Sequence, residues 1–346
     1  MENIHKIRTA DAQKKLKKEK IDGILISSLK EVFFISGFHQ DRTILLLTQN
    51  ELYAFLPKMF VDHFKHTCPW GEIVIYENLY ADIEKKIKDL KLKKTVFDSS
   101  LSYYDEAKKF EDMGIKKLNG FFKEFRMIKK GEEFENIKKS SEIAAKAFNI
   151  IKPKIKAGVK EIEIARELEY TMQKLGASTR SFETIIAFGP NAALPHHETS
   201  ERKLKKNEVV LMDFGCVYKR YCSDITRTFF YGKPTEEFLK VYSIVDKAQK
   251  AGVKNAKEGV LTNEVDKICR DIISESGYGQ YFTHGTGHGV GLEIHEEPYL
   301  NTRMSVKLSE GMTVTVEPGI YLFGKFGVRI EDTVYITKKE PIVLTK

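Results

Sequence analysis

The run NEVVLMDFGCVY is apolar enough to form a buried strand, yet Asp213 sits in its middle. A carboxylate without partners in an apolar interior costs several kcal/mol in practice, so whatever fold the chain adopts must bring something to balance it. Eleven residues later, YCSDITRTFF offers a second strand carrying Asp224. The polar turn at Lys219 and Arg220 predicts an antiparallel hairpin with both carboxylates able to face one side. Taken singly, either Asp is better read as a turn cap or as the partner of a nearby cation such as Arg227.

The pattern recurs. MTVTVEPGIY and GVRIEDTVYI are β-rich runs joined by the glycine-bearing turn LFGKFG, with Glu317 and Glu331 in them or at their ends. Two hairpins that each turn two acids inward are hard to account for as salt bridges. Four clustered carboxylates repel one another, so some must stay protonated at neutral pH unless cations neutralise them. Two divalent ions bring the formal balance of these acids to zero. Between the hairpins, THGTGHGVGLEIHEEP packs His284, His288 and His295 into a glycine-rich loop, where small residues let the backbone approach a site closely. The glycine spacing fits neither the dinucleotide-binding nor the Walker pattern, which sets nucleotide binding aside. One histidine with four carboxylates is an oxygen-rich ligand set, and ligand softness then points to Mn2+, Co2+, Fe2+ or Zn2+ rather than a thiolate zinc centre. Upstream, NAALPHHETSERKL places His196 and His197 in a loop before the first acid-bearing strand, where simple exposure and a hold on a polar substrate are comparable readings.

With 346 residues, 42% of them apolar, the chain is long enough for about two domains, each with its own core. Residues 6–20 read as a helix, followed by short apolar runs punctuated by Gly, Asn and Pro. A lysine-rich helix from Leu79 to Leu90, the strand TVFD and a helix from Tyr104 to Met113 complete a compact α/β unit. The character changes near Phe125, where a long amphipathic helix begins with Phe134, Ile137, Ile143, Ala144, Ala147, Phe148 and Ile151 on its apolar face. Helices over 161–175, 238–256 and 262–276 follow, so that helix, helix and acid-bearing hairpin occur twice in the same order. The net charge of +8 is spread through helix-like lysine stretches with interleaved glutamates, which reads as solvated surface and not as a nucleic-acid site. No apolar run is long enough to span a bilayer or serve as a secretory signal, and no Cys-x-x-Cys pair occurs among the four cysteines. The expectation is a cytoplasmic protein with reduced thiols.

These motifs resemble those of the pita-bread metallopeptidases, specifically the Xaa-Pro dipeptidases (prolidases) and Xaa-Pro aminopeptidases. MDFG, SDITRTF, HGTGHGVG, VEPGIY and RIEDT stand in order with no ligand position substituted, and the resemblance covers essentially the whole chain. It implies an α+β protein, with a smaller α/β domain over residues 1–124 and a pita-bread catalytic domain of pseudo-twofold repeat over 125–346. It also implies metal ligation by Asp213, Asp224, His288, Glu317 and Glu331, with two divalent ions per chain. Mn2+ or Co2+ is expected, and Zn2+ or Fe2+ are the further options. His196, His284 and His295 match catalytic or substrate-facing histidines, and Arg329 and Tyr321 match polar residues beside the metals that hold substrate. Of the pair His196 and His197, the LPH spacing favours His196 as the one that reaches inward.

The chemistry implied is attack by a metal-bridging hydroxide on the carbonyl before a proline, with Glu317 shuttling a proton to the leaving nitrogen. Short proline-containing peptides are the expected substrates and a homodimer the expected assembly. Two other readings share the fold. A methionine aminopeptidase is disfavoured by the additional N-terminal domain and the histidine spacing, and a non-catalytic peptide-binding module by the complete ligand set.

Overall fold

The structure is a computed structural model that describes residues 3–100 and 102–346. Two compact units make up the chain, Met1–Phe125 and Arg126–Lys346. Among the described residues, no helix is long and apolar enough to cross a membrane.

The first unit is built on a six-stranded mixed sheet. Its elements in chain order are α1 (Ile4–Glu19), β1 (Gly23–Ile26), α2 (Leu29–Ser36), β2 (Ile44–Thr48), β3 (Leu52–Leu56), α3 (Val61–Thr67), β4 (Glu72–Ile75), α4 (Leu79–Asp89), β5 (Thr95–Asp98), α5 (Tyr104–Asp112) and β6 (Lys116–Leu118). The strand order is β4-β3-β2-β1-β5-β6. Strands β1, β2, β3 and β5 are buried along their whole length, which is why they read as continuous apolar runs and not as alternating ones. Leu25, Leu46, Phe55, Phe97 and Phe110 form the core on one side of this sheet. The apolar run EVFFIS, between strands, folds as α2, closed by Gly37 in the left-handed region (φ 74°).

A short helix α6 (Lys123–Met127) precedes the second unit. There the order is α7 (Glu132–Ile151), α8 (Glu161–Lys174), β7 (Thr179–Arg180), β8 (Ile185–Phe188), β9 (Glu208–Phe214), β10 (Cys216–Tyr218), β11 (Tyr221–Cys222) and β12 (Ile225–Tyr231). It continues through α9 (Glu236–Asn255), α10 (Thr262–Glu275), β13 (Gly287–Gly289), β14 (Glu296–Leu300), β15 (Thr313–Val316), β16 (Gly319–Leu322), β17 (Phe326–Arg329), β18 (Asp332–Tyr335) and β19 (Ile342–Val343). Two helices followed by an antiparallel strand pair thus occur twice: α7, α8 and the pair β9/β12, then α9, α10 and the pair β15/β18.

Each strand pair carries a small inserted hairpin. Between β9 and β12 it is β10/β11, whose turn residues Lys219 and Arg220 both have positive φ (45° and 76°), the twist a tight two-residue hairpin needs. Between β15 and β18 it is β16/β17. The turn LFGKFG therefore closes this inserted hairpin and does not directly join the strands flanked by Glu317 and Glu331. Those two acids instead bracket the pair β15/β18, one residue after the first strand and one before the second.

Period-two alternation decides which side chains face which layer. On β9, Val210, Met212 and Phe214 pack with Ile143, Phe148, Ile164 and Leu168 of α7 and α8, while Val209 and Leu211 join a second core with Val241, Val245 and Val265 of α9 and α10. Asp213 shares the parity of Val209 and Leu211, so it faces the second half of the unit. On β15, Val314 and Val316 enter that second core and Thr313 and Thr315 occupy the opposite face.

Gly215, at the junction of β9 and β10, has no room for a side chain: a Cβ there would overlap the Ser223 carbonyl oxygen and the Ser181 hydroxyl. The backbone contact it permits fixes the spacing between β9, which carries Asp213, and the segment just before β12 that carries Asp224. Gly215→Ala is expected to lower stability by about 1–3 kcal/mol through overpacking, read as a shift of the denaturant midpoint. An unshifted midpoint would show that the hairpin can spread without cost.

Candidate metal centre

Threonines join the two halves of the second unit. The inner faces of its strand pairs carry Thr226, Thr228, Thr313, Thr315 and Thr333, all buried. A buried hydroxyl needs a partner, and these find theirs largely across the interface between the repeats. Thr226 Oγ1 donates to Glu331 Oε2 at 2.6 Å, Thr228 Oγ1 to the Arg329 carbonyl at 2.7 Å and Thr333 Oγ1 to the Asp224 carbonyl at 2.8 Å. Thr315 Oγ1 donates to Glu317 Oε1 at 3.2 Å and accepts the His288 backbone N–H at 3.0 Å. The acids are thereby held at the seam.

Asp213, Asp224, His288, Glu317 and Glu331 converge there, on the wall of one cavity of about 720 Å³. One ligating atom each from Asp224, His288 and Glu331 lies within 4.8 Å of the others. His288 Nε2 stands 3.3 Å from Glu317 Oε1 and 3.5 Å from Asp224 Oδ2. Its Nδ1 lies 3.1 Å from the Gly289 carbonyl, which can only accept. Nδ1–H is thus committed to that carbonyl, and Nε2, which faces Glu317 and Asp224, is the nitrogen a metal would take.

Oxygen atoms in this cluster lack partners. Asp213 Oδ1, Asp224 Oδ1 and Glu331 Oε1 are buried and accept no hydrogen bond among the described residues. Buried polar atoms are almost always satisfied, so three orphaned carboxylate oxygens at one seam fit a cation-binding role. The electrostatics agree. Burial, then the nearby Glu331, Asp213 and Glu317, pushes the Asp224 carboxyl well above its usual range. Burial, then Glu317 and Asp213, does the same to Glu331. Burial also raises Asp213, although Arg329 pulls the other way. Glu317 is the exception: burial raises it, but the hydrogen bond and charge of His288, with His284 and Arg329, outweigh that and hold it at about 2.

Asp213 does have a cation partner, Arg329, through Nη2. Arg227, the sequence neighbour that could have explained Asp213 or Asp224, pairs with Asp332 at 2.8 Å instead. From Arg329 a chain continues: Nη1 donates to the Tyr321 hydroxyl at 2.8 Å, and that hydroxyl donates to His284 Nε2 at 2.8 Å. His284 Nδ1 faces the Gly285 carbonyl at 2.7 Å, so both ring nitrogens are engaged. Burial depresses the His284 pKa, in keeping with a neutral ring.

His295 stacks edge-on to His288 with ring centroids 4.3 Å apart, and burial, then the His288 charge, lowers its pKa. Glu296 beside it is fully enclosed by Arg126 (2.6 Å) and Lys129 (2.7 Å), which anchors the His295 loop. His196 is exposed on the cavity wall, while its neighbour His197 binds Glu161 at 2.8 Å. All ten sequence-derived site residues therefore line this cavity except Tyr321, which stands behind His284 and Arg329.

Missing from the sequence reading were the threonines, Glu161, Glu296 and the cavity wall of Ile162, Phe182 and Tyr299. Only the threonines left a signal, an alternation T-x-T or E-x-T next to Asp224, Glu317 and Glu331 but not next to Asp213. The four cysteines are free and buried and take no part in the site.

A cavity whose floor is four acids and one outward-facing imidazole, at the seam of a repeated two-helix and strand-pair unit, defines a metal-dependent hydrolase. The chain belongs to metallopeptidase family M24, which matches residues 135–338, and a creatinase/prolidase N-terminal domain matches residues 8–128. It is a peptidase of the family's divalent-metal-dependent kind, with a pita-bread domain behind that N-terminal domain. An Xaa-Pro dipeptidase of Pyrococcus horikoshii is 39% identical over 335 residues, covering 95% of this chain and 94% of that protein. The solved Xaa-Pro dipeptidase from Bacillus anthracis superposes with a TM-score of 0.95 at 36% identity, covering 98% of this chain and 97% of that one. An X-Pro aminopeptidase from Thermotoga maritima MSB8 superposes with a TM-score of 0.89 at 34% identity, covering 96% and 97%.

Because Asp224 and Glu331 have folded-state pKa values above the unfolded ones, the metal-free protein binds extra protons on folding. Their contribution to stability is therefore lost as pH rises from the ordinary carboxyl range, about 4, through the raised folded values. Asp224→Asn should then raise the stability of chelator-treated protein at pH 7, because it removes the carboxyl whose ionisation the folded state opposes. Urea unfolding of the chelated pair checks it, and a destabilised variant would mean the acids do not repel.

Proposed function

We propose that this chain hydrolyses the Xaa-Pro bond of short proline-containing peptides, with two divalent ions, Mn2+ or Co2+, held by Asp213, Asp224, His288, Glu317 and Glu331. The observation that carries the reading is the set of orphaned oxygens on Asp213, Asp224 and Glu331, beside a His288 Nε2 that faces the acids. The proline preference is supported by the similar proteins named above. In this reading residues 125–346 are the catalytic domain and 1–124 an N-terminal domain. The enzyme works as a homodimer in the cytoplasm, a compartment that suits its four free thiols.

Divalent ions in such a site supply Lewis acidity, polarising the scissile carbonyl and making water nucleophilic near neutral pH. The remaining work falls to the side chains. His196 and His295 border the cavity on the substrate side and donate to the carbonyl oxygen as it gains charge, a placement typically worth a few kcal/mol in the transition state. Arg329 is locked to Asp213 and Tyr321, so its charge opposes the burial that raises the Asp213 carboxyl. Tyr321 and His284 extend that lock to the histidine loop and keep its backbone beside the acids. The proline nitrogen leaves as a secondary amine and must gain a proton. Glu317, on the cavity wall and held by Thr315 and His288, takes that proton from water and delivers it.

Two results test this. Mn2+- or Co2+-loaded enzyme should cleave X-Pro peptides and leave X-Ala analogues largely intact, with the rates on an X-Pro dipeptide and on X-Pro-Y-Z separating dipeptidase from aminopeptidase. No cleavage of either proline peptide sinks the reading. Glu317→Gln should lower kcat by about 100-fold or more, within the range of general acid–base contributions. Full turnover with both ions retained would remove Glu317 from the proton path.

A further inference from the structure

The cavity wall bearing His196 is a segment without strand or helix from Leu194 to Glu201, and its shape has to come from somewhere other than its own backbone ladder. It comes from one carboxylate. Glu161, the first residue of α8, is completely buried, and its side chain turns away from its own helix toward the loop. Oε1 accepts the Phe188 backbone N–H at 2.8 Å and the Asn191 amide at 2.9 Å. Oε2 accepts His197 Nε2 at 2.8 Å, the Ser200 N–H at 3.0 Å and the Ser200 hydroxyl at 2.6 Å. Every donor lies between residues 188 and 200, on both sides of His196.

We propose that Glu161 is a positioning residue for catalysis: it fixes the 188–200 segment so that His196 is presented to the carbonyl oxygen of the bound peptide. The juxtaposition explains the doubled histidine. His197 is consumed by Glu161 at the end of a hydrogen-bonded turn from Leu194 to His197, and His196 on that turn is left exposed on the cavity wall. The preceding residue is pinned as well, since Arg329 Nη1 reaches the Pro195 carbonyl at 3.4 Å. His196 therefore hangs between an anchor tied to Asp213 and an anchor tied to α8. The charge on Glu161 suits its place at the start of a helix, where the macrodipole favours an anion. Burial alone would raise its pKa, but the bonds from His197, Ser200, Phe188 and Asn191 hold it below the usual range. A glutamine cannot substitute, because its amide NH2 would confront donors on one side.

The proposal rests on the Xaa-Pro reading for its assay. Glu161→Gln and His197→Ala are each compared with wild type, and each is repeated in a His196→Ala background. Metal content and thermal unfolding are measured alongside. Both variants should lower kcat/KM about 10- to 100-fold with metal content unchanged, the loss a displacement of about 1 Å produces. In the His196→Ala background the further loss should shrink to less than about twofold, the non-additivity of residues acting through one group. Equal losses in both backgrounds, or none in either variant, would overturn the proposal. Should Glu161→Gln not fold, the His197→Ala cycle decides by the same criteria. Should the wild type cleave no proline peptide, the functional reading falls and the ring 1H–13C resonances of His196 decide the positioning: shifted or broadened in His197→Ala if it holds, unchanged if it does not.

Discussion

Mutual repulsion among Asp213, Asp224, Glu317 and Glu331 is the constraint around which the second unit is organised. Four acids face one seam between two strand pairs, and the fold answers only part of their charge from within. Arg329 balances Asp213, and His288 balances Glu317, which is why Glu317 alone is held strongly acidic. Asp224 and Glu331 have no arginine or lysine partner among the described residues, and both are pushed well above the usual carboxyl range, by burial first and then by the neighbouring acids. Those two carboxylates leave two negative charges unanswered beside the orphaned oxygens, a balance that divalent cation binding would supply.

That constraint reaches outward into the fold. An inner face that must carry acids cannot be wholly apolar, yet it lies at the centre of the unit, so Val209 and Leu211 share it with threonines. They have the β-branched shape that suits a strand and a hydroxyl that can cross to the other half. The outer faces of the same strands remain apolar and bind α7 and α8 on one half and α9 and α10 on the other. Loops that bring histidines to the cavity are then fastened by buried charges of their own. Glu296 between Arg126 and Lys129 holds the His295 segment, and Asp266 holds the His284 segment through Thr286 and Arg270. Glu161 does this for the segment of His196.

Much of the site was legible in the sequence because a carboxylate inside an apolar run is so improbable that its explanation must be specific. Asp213 in NEVVLMDFG made that visible, and the recurrence at Glu317 and Glu331 made it a pattern. The helices were legible from their apolar periodicity, as in α7 and α8. What could not be read is long-range or side-chain detail. LFGKFG looks like the turn between two acid-bearing strands because inserted hairpins have the same local chemistry as direct ones. Arg227 looks like a partner for Asp224 by proximity in the chain, but tertiary folding sends it to Asp332. Glu161 opens an ordinary amphipathic helix, and nothing in KEIEIARELEY distinguishes it from the less buried glutamates Glu163, Glu167 and Glu169 that follow.

The central claim is that the seam holds two divalent ions between Asp213, Asp224, His288, Glu317 and Glu331. Anomalous diffraction at the manganese edge, from crystals grown with Mn2+, tests it most directly. Two peaks are predicted, both within bonding distance of these five side chains and with Asp224 and Glu331 among the contacts. A single peak, or strong peaks elsewhere with none at the seam, would contradict it.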